Sequence, residues 1–285
     1  MEKQATRFGE DFCLTLITDD AVLAAHADGA GVNRIGIDLE YVGKAERQTS
    51  QDARLSRHNW DDLSRISKCL SRADLFVRIN PIHAGTEAEI ETVLELGAKV
   101  LMLPNFRSAG EAGTFVRAVR GRARVSVLVE MAPAVVRIRE ILDVPGIDEV
   151  MIGLNDLHLQ CGVANHFEVL GSPLVDMLAS EVLRKGLPLS IGGVGRVGDT
   201  AQPIPTDLVY AQYPRLRATG AWLARSFANT ALPPGDFQSS ILALRNRLSE
   251  WASSPAEDLE RARVELSRHA AQWRPALSRA SHSIA

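Results

Sequence analysis

RVSVLVEMAPAVVRIREILDVPGIDEVMIGLNDL, residues 124–157, contains two nearly continuous apolar runs, RVSVLVE (124–130) and DEVMIG (148–153), joined by a longer amphipathic stretch. An unbroken apolar run, in place of strict alternation, is what a strand buried on both faces of a parallel sheet requires. Six more runs of this kind flank the pair: FCLTLIT (12–18), NRIGID (33–38), DLFVRIN (74–80), KVLMLP (99–104), LPLSIGG (187–193) and TDLVYA (206–211). Helical patterns such as TEAEIETVLELGA and SAGEAGTFVRAVRG lie between them. In the first, Ile90, Val93, Leu94 and Gly97 recur at helix spacing and a glycine ends the stretch. Eight strands separated by helices predict an α/β fold, a (β/α)8 TIM barrel. An open doubly wound sheet is the competitor, but no GxGxxG follows the first strand and no P-loop occurs.

The pattern changes after Ala228. ALPPGD is a breaker segment. Phe237, Ile241, Leu244, Leu248 and Trp251 then repeat at alternating spacings of four and three, as an amphipathic helix does. Ser254-Pro255-Ala256-Glu257 reads as a capping box with proline at the first helical position. Leu259, Ala262, Leu266, Ala270 and Trp273 form the stripe that follows. We therefore expect a barrel domain over 1–230 and a helical hairpin extension over 231–285, packed on the barrel or on a neighbouring subunit.

Composition narrows the function classes. Of 285 residues, 46% are hydrophobic and 24% charged, and the net charge of −3 gives no electrostatic argument for nucleic acid or an acidic membrane. The three cysteines, Cys13, Cys69 and Cys161, form no CxxC pair, so neither a disulfide framework nor a cysteine zinc site is suggested. No apolar stretch has signal-peptide character or bilayer-spanning length. The expectation is a cytoplasmic protein.

Catalytic groups of a barrel sit at the carboxyl ends of its strands. The second run closes on Asp38-Leu39-Glu40, the third on Arg78-Ile79-Asn80, the fifth on Glu130 and the sixth on Gly153-Leu154-Asn155-Asp156. Glu130 and Asp156 are one βα unit apart and should face the same mouth. Two carboxylates with room for water suit Mg²⁺ or Mn²⁺, and a guanidinium beside them suits a small carboxylate. Such a set could chelate a 2-oxo acid and stabilise an enolate. Taken singly, each of these acids is more simply a helix cap or an ion-pair partner; the case rests on their being in phase.

At these same residues the chain resembles the HpcH/HpaI aldolase and citrate-lyase beta-subunit family. The likeness is carried by LVEMAPAVVRIREILDVPGIDEVMIGLNDLHLQCG, IGIDLE, LFVRINP and GAKVLMLPNFRSAGEA, and runs from about Asp19 to Gly193. It implies a metal-dependent lyase on a TIM barrel, assembled as a homo-oligomer, trimer or hexamer, and acting on a 2-oxo acid such as pyruvate with an aldehyde or acyl partner. By that resemblance Glu130 and Asp156 hold the metal, Arg78 grips the 2-oxo acid, and the backbone at Gly153, Leu154 and Asn155 holds its carboxylate. Asp38 and Glu40 match the acidic pair that supports metal-bound waters. The pyruvate aldolases of the family carry a histidine acid/base directly after that pair; here the residue is Tyr41, whose phenol has an ordinary pKa near ~10. Glu40 and Tyr41 are accordingly the candidates for proton transfer beside Arg78. A citrate-lyase-like or malyl-thioester-like enzyme using an acyl thioester is the alternative, and a barrel that has lost catalysis and serves as a binding subunit is a third.

Other polar residues have plainer readings. Lys44 reads as solvated; His58 and His83 lie on loops at the catalytic face, where either could replace the missing base, but read more simply as ordinary surface histidines; His158 could line the mouth but reads more simply as a helix-face residue. IGGVGRVGD (191–199), with Arg196, follows the seventh run, where barrels often bind phosphate, although a glycine-rich turn is needed there simply to leave the barrel.

Overall fold

The computed structural model describes residues 2–41, 58–228 and 234–274. Eight parallel strands close into a barrel in sequence order. They are β1 (Cys13–Ile17), β2 (Arg34–Asp38), β3 (Asp74–Arg78), β4 (Val100–Leu103), β5 (Arg124–Val129), β6 (Glu149–Ile152), β7 (Leu189–Val194) and β8 (Gly220–Leu223). Each pairs with the next, and β8 pairs with β1. The predicted barrel is the fold observed.

The unbroken apolar runs have two faces to fill. Phe76, Val100, Met102, Leu128 and Met151 make the inner cluster, with Ile17 and Trp222 packed against it. Ile35, Ile37, Val77, Leu101, Val127, Val129, Val150 and Ile152 belong to the outer core under the helices. Gly36 is dictated by close approach, because a Cβ there would lie 1.6 Å from the Phe76 carbonyl oxygen on β3.

The first six strands lie inside their predicted runs, and β7 overruns its own by one residue, Val194. The eighth lies outside its run. TDLVYA forms the helix Thr206–Tyr210, and the last strand is GAWL. A six-residue apolar run cannot separate strand from buried helix by periodicity alone. GAWL also hides its signal, since its first position must be glycine: a Cβ on Gly220 would meet Ser190 Oγ at 2.6 Å and the Cys13 carbonyl oxygen at 2.9 Å.

The amino-terminal floor is pinned by a buried ion pair. Arg34 at the start of β2 donates to both oxygens of Glu149 at the start of β6, at 2.6 and 2.7 Å. Two fixed N–H···O bonds orient both partners as well as attract them.

Two long helices follow the barrel, Pro234–Ala252 and Ala256–Gln272. They pack on their own barrel: Phe237, Ile241, Leu244, Leu248, Leu266 and Ala270 join the main core cluster. Arg245 anchors the first of them to the barrel floor, donating to the carbonyls of Gly9, Phe12 and Gly31 at 2.7, 2.9 and 2.9 Å. The expected capping box of the second helix is absent. Pro255 occupies the cap position without a side-chain bond, and the Ser254 hydroxyl donates back to the Glu250 carbonyl at 3.3 Å. Asn165 fastens the end of that helix, its Nδ2 donating to the carbonyls of Ala270 and Trp273 at 3.0 and 3.1 Å. Among the described residues no helix is long and apolar enough to cross a membrane.

His166, next to that clasp, lies against Phe167 and Trp273. Burial, and then the neighbouring His158, push its imidazole down to about 4. The unfolded chain takes up this proton near ~6.5, so its contribution is complete above that pH and is lost as pH falls toward 4. We expect His166→Gln to flatten the pH dependence of unfolding free energy, measured in urea between pH 7.5 and 4, by about 2 to 3 kcal/mol. An unchanged slope would contradict a buried neutral imidazole.

Candidate active site

The carboxyl ends of β2 and β3 are neighbours, with Asp38 in register with Arg78. Arg78 donates through Nε to Asp38 Oδ1 at 2.9 Å and through Nη2 to Oδ2 at 2.7 Å. The same Nη2 stands 3.3 Å from Glu40 Oε2. Trp222 of β8 lies beneath, its ring centroid 5.1 Å from the guanidinium carbon. Burial opposes the charge on Arg78, but Asp38, then Glu40 and Glu130, outweigh it and hold the guanidinium above its usual range. No hydrogen bond runs from Nη1 to a described residue.

Glu130 follows β5 and is 3% exposed. Burial raises its carboxyl to about 8; Arg78 works against the rise, while Asp156 and Glu40 add to it. Gly153, at the end of β6, is what lets this carboxylate fit, because a Cβ there would meet Glu130 Cβ at 2.8 Å and Oε2 at 2.9 Å. Asp156 lies half-buried in the first turn of the helix Leu154–Cys161, close enough for Glu130 to feel its charge. The structure thus gathers Asp38, Glu40, Arg78, Glu130 and Asp156 at one mouth.

Asn105 is the residue that sequence reasoning missed. Its N–H donates to Glu130 Oε1 at 3.0 Å, and its Nδ2 donates to Glu40. It thereby joins the ends of β2, β4 and β5. Its φ of +51° lies in the left-handed region, which asparagine tolerates better than most residues. Its Oδ1 is buried without a partner. A signal existed: KVLMLP closes at Pro104, and the residue after it is an amide at a strand end.

The other predicted positions are placed as follows. The N–H of Gly153 continues the sheet, donating to the Val129 carbonyl at 3.0 Å, so it does not face the mouth. Leu154 is 5% exposed, and its side chain packs over Gly192. Asn155 is exposed. Tyr41 is 66% exposed, and its N–H, not its phenol, meets the site's surroundings by donating to Asn80 Oδ1 at 3.0 Å. His58 Nδ1 accepts the Asp38 N–H at 3.0 Å, which makes His58 a support of the loop after β2. His83 stands 3.0 Å from Glu89 Oε2 and accepts the Gly85 N–H at 3.0 Å, another local structural role. Lys44 lies outside the described residues.

Among the described residues no group of three or more histidine, cysteine, aspartate or glutamate side chains is gathered to hold a metal ion. The donor set nonetheless suits one of the hard cations. Such ions accept one or two protein carboxylates and complete their shell with water. Here there are two acids of that kind, one kept from ionising by burial, and an amide oxygen left without a donor.

Barrel and buried acidic mouth together describe an enzyme of the (β/α)8 class. The chain belongs to the HpcH/HpaI aldolase/citrate lyase family, whose model matches residues 14–172, more than half of its length. Similar solved structures include an HpcH/HpaI aldolase from Desulfitobacterium hafniense DCB-2, with 16% identity, TM-score 0.58, and coverage of 78% of this chain and 89% of that one. A family protein from Burkholderia cenocepacia J2315 aligns at 16% identity and TM-score 0.58, covering 78% and 92%. Citrate synthase SbnG aligns at 15% and 0.58, covering 78% and 90%. At these identities the likeness shows the fold. No curated protein sequence matches the chain significantly.

Removing Arg78 strands buried carboxylates. We expect Arg78→Met to destabilise the protein by about 3 to 5 kcal/mol at pH 8. The loss should shrink at pH 5, well below the raised range of Glu130, where that carboxyl is protonated. Chemical denaturation at the two pH values checks this, and an equal loss at both would contradict the charge-balance argument.

Proposed function

We propose that the protein is a carbon–carbon lyase of the aldolase type, acting on a 2-oxo acid such as pyruvate with Mg²⁺ or Mn²⁺. The observation that carries this reading is Glu130: a buried carboxyl raised to about 8 at the barrel mouth, within reach of the charges of Arg78, Asp156 and Glu40. A divalent cation is a group that buried carboxyls of this kind accept.

Glu130 and Asp156 would hold the ion, and Asn105 Oδ1 is a further oxygen of the type it takes. When bound, the ion supplies positive charge for the oxygen of a developing enolate. Arg78, fixed by Asp38 and Trp222, presents its Nη1 edge to the substrate carboxylate. Of the two proton-transfer candidates, Glu40 lies inside the buried cluster and Tyr41 does not. Glu40 is held by Arg78 and Asn105, and it is our assignment for that role.

The test is exchange of pyruvate methyl protons in heavy water, followed by NMR. We expect metal-dependent exchange that a chelator abolishes and that Glu130→Gln lowers by about 100-fold or more. Exchange that persists without metal, or none with it, would sink the reading. The presence of a citrate synthase among the similar structures favours one rival, an enzyme using an acyl thioester. Exchange at the acetyl group of a thioester, with pyruvate inert, would select that rival.

A further inference from the structure

Two loops at the carboxyl ends of β7 and β8 bury polar atoms that have no partners. Arg196 follows β7, and its guanidinium carbon lies 5.4 Å from the ring centroid of Phe227. Its Nε and Nη2 are buried and make no hydrogen bond. Ser226 follows β8, and its Oγ is also buried and unpartnered. Gly195 stands between the two loops: a Cβ there would lie at contact distance from both, 3.6 Å from Ser226 Oγ and 3.5 Å from Thr206 Cγ2. The Tyr210 hydroxyl holds this turn by donating to the Gly195 carbonyl at 2.8 Å.

The acid within the same loop does not neutralise the guanidinium. Asp199 accepts from the Ala201 N–H through Oδ1 at 3.0 Å and from Gln202 Nε2 through Oδ2 at 2.8 Å. What is left is one edge of a guanidinium, with Nε and Nη2 side by side, and a hydroxyl beside the adjoining glycine. Native folds rarely leave such donors unmet, and least of all charged ones. Two N–H groups on one edge match an anion that offers two oxygens. The loops after the seventh and eighth strands are also where barrels of this type hold phosphate.

We propose that Arg196 and Ser226 form a binding site for an oxyanion, the phosphate or distal carboxylate of a ligand entering the barrel mouth. Arg196 receives two of its oxygens and the Ser226 hydroxyl donates to the anion. One extension rests on the enolate reading: the partner of the 2-oxo acid is then itself anionic.

Inorganic phosphate and malonate are the probes, titrated into the full chain in metal-free buffer without pyruvate, at ionic strength matched with chloride. Thermal unfolding and, for phosphate, ³¹P line width are read. We expect a saturable rise in Tm beyond the chloride control. Arg196→Gln should weaken binding by about ten-fold or more, and Ser226→Ala by less. Arg196→Lys keeps the charge without the fork and should also weaken binding, which covers the case in which Arg196→Gln does not fold. A response to phosphate alone, to malonate alone or to both identifies the oxyanion. Glu130→Gln, which removes the proposed exchange, should leave anion affinity within about two-fold, so the two assignments fail separately. The absence of a saturable response to either anion, or an equal response in the folded Arg196 and Ser226 variants, overturns the proposal.

Discussion

Among the described residues, one guanidinium, that of Arg78, holds the acids of the barrel mouth together. Asp38, Glu40 and Glu130 are each 3% exposed or less, and carboxylates so placed repel one another in a medium that screens them poorly. Arg78 compensates two of them by direct contact and the third through space. Its position follows from register, because the strand pairing that sets Asp38 opposite Arg78 is the pairing that closes the barrel. The chemistry is thus fixed by backbone geometry before any ligand arrives.

The contacts within the mouth are unevenly shared. Asp38 takes the fork of Arg78, Asn105 bridges Glu40 and Glu130, and burial leaves Glu130 reluctant to ionise. Gly153 preserves the space around it. A site organised only for stability would be expected to fill that space with an apolar group. This one keeps a strained acid at the end of a barrel strand, where function in this architecture resides.

Much of this was legible because strand ends can be counted. Buried strands show themselves as apolar runs, and the residue closing each run must face the mouth, so Asp38, Glu40, Arg78 and Glu130 could be named together. Where the physics is not periodic, the reading failed. β8 begins with a glycine demanded by two neighbouring strands, and TDLVYA offered a more apolar decoy. Asn105 carries no charge, and its left-handed backbone comes from a turn that sequence spacing does not encode. Gly153 was read as a donor to substrate, whereas its N–H continues the sheet and its missing side chain is what matters. The Ser254 cap had the right letters, but its hydroxyl found a carbonyl one turn back.

Arg245 sets the order in which the protein can be finished. It takes carbonyls from both sides of β1 at the amino-terminal end of the barrel, yet it lies beyond all eight strands in the chain. During synthesis those acceptors stay in water until the ribosome has released this late helix. The first strand, made earliest, is therefore among the last to be sealed, and nascent barrels cut short before Arg245 would emerge with an open base that invites chaperones or proteases.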